Sequence, residues 1–100
     1  MSLSSVVGLA QSSQIIADLR HQLSAAKDDK SRIHAQIDLC SAYRLGNTDS
    51  SLYYGSQALK SAREIDYPVG EILALSFMSI TLEQLGNLPM SLEMSFKALQ

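Results

Sequence analysis

The sequence contains a single cysteine, Cys40, and no tryptophan among its 100 residues. One thiol cannot form a disulfide within the chain, so the cysteine content does not decide where the protein is located. A reduced cytoplasm suits a free thiol best, and a periplasm is compatible with it. His34 is not a base for this thiol, because six residues along a helix place the two side chains on different faces. The lone cysteine therefore predicts a small core residue.

Long apolar runs and a strong charge of one sign are also absent. The most apolar stretch, Ile72 to Leu82, has eleven residues without a charge, well short of the roughly 20 that a bilayer span needs. The formal net charge is −2 with both signs mixed along the chain, so nucleic acid is not an expected partner. With 46% apolar and 18% charged residues, the composition is typical of a small globular domain.

What the sequence does contain is a pattern that recurs after forty residues. The stretch from Ile72 to Leu82 carries apolar side chains at helical spacings, not in strand alternation. One stripe of this stretch contains Leu73, Phe77 and Ile80. Forty residues earlier, the corresponding stripe contains Ile33, Ile37 and Cys40. The match is literal where Leu45-Gly46-Asn47 recurs as Leu85-Gly86-Asn87, Ser51-Leu52 as Ser91-Leu92, and Ala58-Leu59 as Ala98-Leu99. A fixed period of this length predicts stacked helical units.

Start and stop signals divide the chain into an all-α fold of about five helices. We predict them near residues 13–26, 30–45, 49–65, 69–85 and 89–100. Ser12 or Ser13 is the predicted N-cap of the first helix and Asp29 that of the second, and Gly46 is predicted to end the second helix in the left-handed conformation.

The same signals give a predicted domain organisation. Residues 1–11 are expected to be a flexible lead-in, because Gly8 and several serines oppose a helix there. Residues 12–100 form the predicted repeat domain, with units at about 30–67 and 70–100. The pattern is still running at Gln100, so we expect this sequence to be a fragment of a longer array.

The third and fifth predicted helices share a stripe of small residues. In the third helix these are Ser51, Gly55, Ala58 and Ala62. Small residues in a row let a neighbouring backbone approach closely, so the stripe is expected to lie against the preceding helix. The last helix also carries large apolar side chains that one neighbour cannot cover, which predicts a homo-oligomer formed through exposed terminal helices.

These residues resemble the tetratricopeptide repeat (TPR) family, which pairs two antiparallel helices around a Gly-Asn turn followed by small residues and Ala-Leu. The matching positions are Gly46, Asn47, Ser51, Gly55, Ala58 and Leu59, and then Gly86, Asn87, Ser91, Ser95, Ala98 and Leu99. The period of forty exceeds the usual 34 or so, and Gly55 and Ser95 stand where the family usually has an aromatic residue. HEAT repeats are the alternative fold.

The resemblance implies an α-α superhelix that binds a protein or peptide in a groove. The first helix of each pair lines that groove in the family, and the corresponding residues here are Gln36, Tyr43, Arg44, Ser76, Glu83 and Gln84. The longer period and short segments such as Ile65-Asp66-Tyr67 resemble those of the sensory N-terminal regions of bacterial histidine kinases and nucleotide cyclases. The implied function is a sensory or regulatory interaction module of a larger signalling protein.

Two other hypotheses stay open beside that function. The six groove residues could simply face solvent without a ligand. The stacked helices could instead hold the subunits of a parent protein together. An enzyme is not expected, since no catalytic set, phosphate loop, metal-ligand spacing or cofactor motif is recognisable, and His21 and His34 are predicted to lie on solvated helix faces.

Overall fold

The computed structural model describes residues 3–99, with side chains for residues 12–87 and 89–99. Five α-helices follow one another within these residues: α1 (Leu3–Ala25), α2 (Asp29–Tyr43), α3 (Thr48–Glu64), α4 (Pro68–Gln84) and α5 (Leu88–Leu99). No strand occurs between residues 3 and 99. The all-α prediction of about five helices is confirmed. In the described part of the chain, no helix combines the length and apolar character that a membrane crossing requires.

The start of α1 differs from the sequence prediction. The helix begins at Leu3, whereas the prediction placed its start at Ser12 or Ser13 and a flexible lead-in before it. Gly8 costs a helix only about 1 kcal/mol relative to alanine. Once a helix has nucleated, each further residue adds a hydrogen bond, so one glycine does not stop it. Ile16, Leu19 and Leu23 are partly buried along one face of α1, as predicted, and Ala26, just beyond the end of the helix, is also partly buried.

Side-chain caps start α2 and α3. The Asp28 carboxylate accepts a hydrogen bond from the backbone N–H of Ser31 at 2.7 Å, and the Asn47 side chain accepts one from Ser50 N–H at 3.1 Å. Asp28 and not Asp29 is therefore the N-cap of α2, because Asp28 has the extended backbone that a cap requires. The bond from Ser31 N–H holds the pKa of Asp28 below its ordinary value.

The chain reverses differently at the two Leu-Gly-Asn copies. At the end of α4, Gly86 has φ +78°, and Asn87 N–H donates to the Leu82 carbonyl at 2.9 Å, which is a Schellman ending. Gly46 has no positive φ, so its predicted left-handed conformation is wrong. There, Asn47 N–H donates to the carbonyl of Tyr43 at 2.8 Å, which continues the helical i to i−4 spacing past the end of α2.

This contrast gives a testable prediction at the two glycines. Gly86→Ala should lower the free energy of unfolding by about 1 to 2 kcal/mol, because a Cβ is strained in the left-handed region. Gly46→Ala should be neutral or stabilising by up to about 1 kcal/mol, since nothing lies within 4 Å of a Cβ placed there. Urea unfolding of both variants measures this. Equal losses at the two sites would contradict the assigned turn geometries.

The packing of α4 organises the fold. Each helix contacts its neighbour in sequence, and α4 also contacts α2, whereas in the described residues α3 and α5 do not contact each other. A Cβ added at Gly70 in α4 would lie 3.1 Å from Ile33 of α2 and 3.2 Å from Ala62 of α3. The backbone of α4 thus lies across the α2–α3 hairpin. The core cluster at this crossing contains Ile33, Ile37, Ala58, Ala62 and Ala74.

Candidate functional site

Each helical hairpin has one lengthwise junction between its two helices, which we call a seam. The first seam joins α2 and α3 at Cys40, Ser51, Gly55 and Ala58. The second seam joins α4 and α5 at the positions forty residues later, which are Ile80, Ser91, Ser95 and Ala98. The serine and alanine positions are identical in the two seams, whereas Ile80 replaces Cys40 and Ser95 replaces Gly55.

The first seam is filled by α4. A Cβ at Gly55 would overlap the side chain of Met78 and lie 3.0 Å from the Cys40 sulfur. The glycine therefore makes room for Met78 to insert between α2 and α3. Cys40 and Ala58 have no exposed surface, and the predicted small-residue stripe is buried along its whole length. It lies against α4 as well as against α2.

A buried hydroxyl network fastens α4 to the first seam. Ser51 Oγ donates to the Cys40 carbonyl oxygen at 2.7 Å and lies 2.8 Å from Thr81 Oγ1. Thr81 Oγ1 also lies 3.1 Å from the Phe77 carbonyl oxygen, to which it can donate, so either hydroxyl can be the donor between Ser51 and Thr81. Both hydroxyls are fully buried, and unpaired they would cost about 1 to 3 kcal/mol each. The network therefore fixes the register of α4 on the hairpin.

Cys40 belongs to this core and not to a reactive centre. Burial raises the pKa of the Cys40 thiol, outweighing the side-chain hydrogen bond between Cys40 and Ser51, which lowers it. A neutral thiol is a weak nucleophile. The prediction of a small core residue is confirmed.

The second seam is open along much of its length. Ser79 Oγ lies 2.7 Å from Ser95 Oγ and donates to the Ser91 carbonyl oxygen at 2.9 Å, so α4 and α5 are joined at this point. Beside them lies a cleft of about 390 Å³. Its lining comprises Ile72, Ser76, Ser79, Ile80, Glu83, Ser95, Ala98 and Leu99. Ile80 is 37% exposed here, whereas its counterpart Cys40 is completely covered.

Charged side chains surround a second cavity that continues this cleft. The cavity measures about 540 Å³ and shares Ile72 and Ala98 with the open seam. Arg63 and Glu71 line it and form an ion pair at 2.9 Å. Lys97, another lining residue, pairs with Glu93 at 3.5 Å. One end of the open seam therefore carries two ion pairs, and the opposite end carries Glu83.

The six predicted groove residues lie in different surroundings in the structure. Ser76 and Glu83 line the open second seam, and Gln84 is exposed. Gln36 is only 9% exposed, so it does not line an open groove as predicted. Tyr43 is half-buried and its ring stacks on Tyr54 of α3 with centroids 5.8 Å apart. Arg44 is also half-buried.

Gln36 and Tyr43 differ from their counterparts for a physical reason. Both residues lie on α2, which contacts α3 and α4 in the first unit, and the Tyr43 ring stacks on Tyr54 of α3. The same positions in the second unit, Ser76 and Glu83, face the open seam. The repeat predicts which residues of the two units lie at equivalent positions. It does not predict which of the two units is covered by another helix.

Sequence reasoning missed a polar cluster at the start of α2. His34 Nε2 lies 2.7 Å from the hydroxyl of Tyr67, and Lys30 Nζ lies 4.8 Å from the centre of the Tyr67 ring. His34 is half-buried whereas His21 is exposed, so of the two histidines predicted on solvated faces only His21 is fully solvated. Asp66, with φ +51°, turns the chain so that Tyr67 reaches α2. An aspartate followed by an aromatic residue and Pro68 was the available signal.

A shallow cleft between α1 and α2 was also missed. It measures about 390 Å³ and includes Gln22, His34 and Asp38 in its lining. The repeat held the signal, since the counterparts of His34 and Asp38 are Ala74 and Met78, which are buried. Polar residues replacing apolar ones at equivalent positions indicate a surface that no second hairpin covers.

No family model matches this chain, and no curated protein or solved structure matches it either. The resemblance to tetratricopeptide repeats accordingly rests on the residues that carry it.

Proposed function

We propose that this chain is a non-catalytic interaction module of the tetratricopeptide kind that binds a peptide or a partner domain. The observation that carries the proposal is the open second seam, an apolar cleft whose sequence equivalent in the first unit is occupied by a helix. Its floor contains Ile72, Ile80, Ala98 and Leu99, and polar groups at Ser76 and Glu83 flank it. An apolar cleft with a few polar groups along its edge is the usual form of a helix-binding groove.

The pattern of helix contacts supports the resemblance. In a stacked hairpin array, the first helix of one unit contacts both helices of the unit before it. Here α4 contacts both α2 and α3, while α3 and α5 remain apart within the described residues. The proposal extends to the parent protein, for which we propose a bacterial signalling protein with this region as its sensory or regulatory part.

A peptide-display selection tests the interaction function. A library of 20-residue peptides is selected against the full chain, and the enriched peptides are measured by fluorescence anisotropy. We expect helical peptides whose affinity falls by at least about tenfold, or 1.4 kcal/mol, with Glu83→Arg. Glu64→Arg is the matched control, because Glu64 is also exposed but lies at the end of α3. Failure to enrich any peptide, or equal losses with both variants, would contradict the proposal.

A structural oligomerisation module is the second candidate, and the outer face of α5 favours it. Leu92 and Phe96 are 50% and 64% exposed, and adjacent exposed apolar side chains mark interfaces. Sedimentation velocity at micromolar concentration should then show a dimer that Phe96→Lys dissociates. Met94→Lys should weaken it too, although Met94 is half-buried. A monomer at every concentration would exclude this candidate.

A further inference from the structure

We infer that the second seam is the docking site for one amphipathic helix that lies parallel to α4 and carries a small residue over Ser95. This inference rests on the proposed interaction function and specifies its site and the chemistry of the partner. It is derived from the forty-residue repeat, because the chain itself shows what occupies the equivalent surface. That occupant is α4. We expect the partner helix to pack on α4 in the same way as α4 packs on α2.

The direction of the partner helix follows from the first seam. Gly70, near the start of α4, approaches Ile33, near the start of α2. Thr81, near the end of α4, reaches Ser51, which donates to the carbonyl of Cys40 near the end of α2. The two helices are therefore parallel. A helix placed in the same way on the second seam begins near Ile72 and ends near Glu83.

Charges at the two ends of the second seam agree with that direction. The starting end lies beside the cavity lined by Arg63, Glu71 and Lys97, where Arg63 pairs with Glu71 and Lys97 with Glu93, and the finishing end lies beside Glu83. Helices favour acidic residues in their first turn and basic residues in their last. Within the chain α4 follows the first half of this rule, since Glu71 in its first turn pairs with Arg63 at 2.9 Å, whereas its last turn has no basic residue. The Glu83 carboxylate at the finishing end, which forms no ion pair among the described residues, therefore complements a partner with a basic last turn.

The size requirement follows from two substitutions in the repeat. Gly55 lacks the Cβ that would overlap Met78, so the first seam accepts methionine. The counterpart Ser95 has a Cβ and an Oγ held by Ser79 at 2.7 Å, and Ile80 replaces the smaller Cys40. A residue that packs over Ser95 must therefore be smaller than methionine, such as alanine or serine.

The experiment uses two synthetic peptides and the full chain. The first peptide has the sequence of residues 66–86 with three added C-terminal lysines, and the second is identical except for Met78→Ala. Binding is measured by fluorescence anisotropy, and the site is mapped by hydrogen–deuterium exchange. We expect the Met78→Ala peptide to bind more tightly by at least about threefold, or roughly 0.65 kcal/mol, with slowed exchange in α4 and α5.

Two variants of the chain locate the site. Ala98→Glu places a charge in the second seam and should weaken binding by at least about tenfold. Ser56→Glu adds the same charge on an exposed position of α3 and should change the affinity less than about twofold. Circular dichroism of both variants verifies that they remain folded.

Each alternative result overturns the inference in a recognisable way. Tighter binding of the unaltered peptide, with changed exchange in α2 and α3, would mean that the peptide replaces α4 in the first seam. A dimer that Ala98→Glu dissociates would mean that a second copy occupies the second seam. If neither peptide binds while display-selected peptides do, and Ala98→Glu does not affect those, the inference fails and the interaction function stands. If nothing binds, both fail.

Discussion

Ile33→Ala is expected to lower the free energy of unfolding by about 2 to 5 kcal/mol, the usual cost of truncating a buried isoleucine. Ile33 has no exposed surface and lies in the core cluster beneath α4, near the close approach of Gly70. The cavity left behind cannot collapse easily, because the backbones of α3 and α4 already approach this point closely. Chemical unfolding monitored by circular dichroism measures the loss.

Leu73→Ala is the matched control for Ile33→Ala. Leu73 occupies the equivalent position forty residues later, is only partly buried and packs at the edge of the core cluster. Its truncation should cost about 1 kcal/mol, because part of its surface already faces water. A loss at Leu73 as large as that at Ile33 would mean that the second unit is covered as completely as the first.

Ala58→Leu is expected to destabilise the chain by about 1 to 3 kcal/mol through overpacking. Ala58 is fully buried in the first seam, in the same core cluster as Ala74 of α4. The added methylene and methyl groups would separate α4 from the hairpin, so the variant should also expose more surface in its native state. Urea unfolding gives the loss of stability.

Two controls separate overpacking from the general effect of adding a leucine. Ala98→Leu makes the identical change in the open second seam and should cost less than about 0.5 kcal/mol. Lys60→Leu places the same side chain on the exposed face of α3 and should also have a small effect. Equal losses for all three variants would show that the covered and open faces have been assigned wrongly.

The helices themselves could be predicted from local signals in the sequence. Asn47 and Pro68 begin α3 and α4 as their residue types predict, and α2 to α5 lie within about two residues of their predicted bounds. Local preferences could not choose between Asp28 and Asp29 as a cap. They also could not distinguish Gly46 from Gly86, because identical Leu-Gly-Asn copies end their helices differently. That choice depends on the contacts of the chain on either side.

The candidate site could be predicted only in part. The small-residue stripe and its burial in the first unit followed from the spacing of Ser51, Gly55 and Ala58. The accessibility of the groove residues did not, since Gln36 is buried while its counterpart Ser76 lines a cleft. Burial at these positions depends on whether another helix lies over the hairpin, and a repeat pattern contains no such information.

The rate of thiol modification measures most directly whether α4 covers the first seam while the second stays open. Cys40 in the native chain is compared with Cys40→Ala/Ile80→Cys, which moves the only thiol to the equivalent position in the second seam. Each rate is divided by the rate for the same chain unfolded in urea, which removes intrinsic differences in reactivity. Urea unfolding of both chains verifies that they remain folded under native conditions.

The two thiols should differ widely in protection. Cys40 has no exposed surface and a pKa raised by burial, so it should react at least about 100-fold more slowly than in the unfolded chain, through transient opening. The thiol at position 80 replaces a side chain that is 37% exposed, and it should react within about tenfold of the unfolded rate. Equal protection at the two positions would contradict an open second seam.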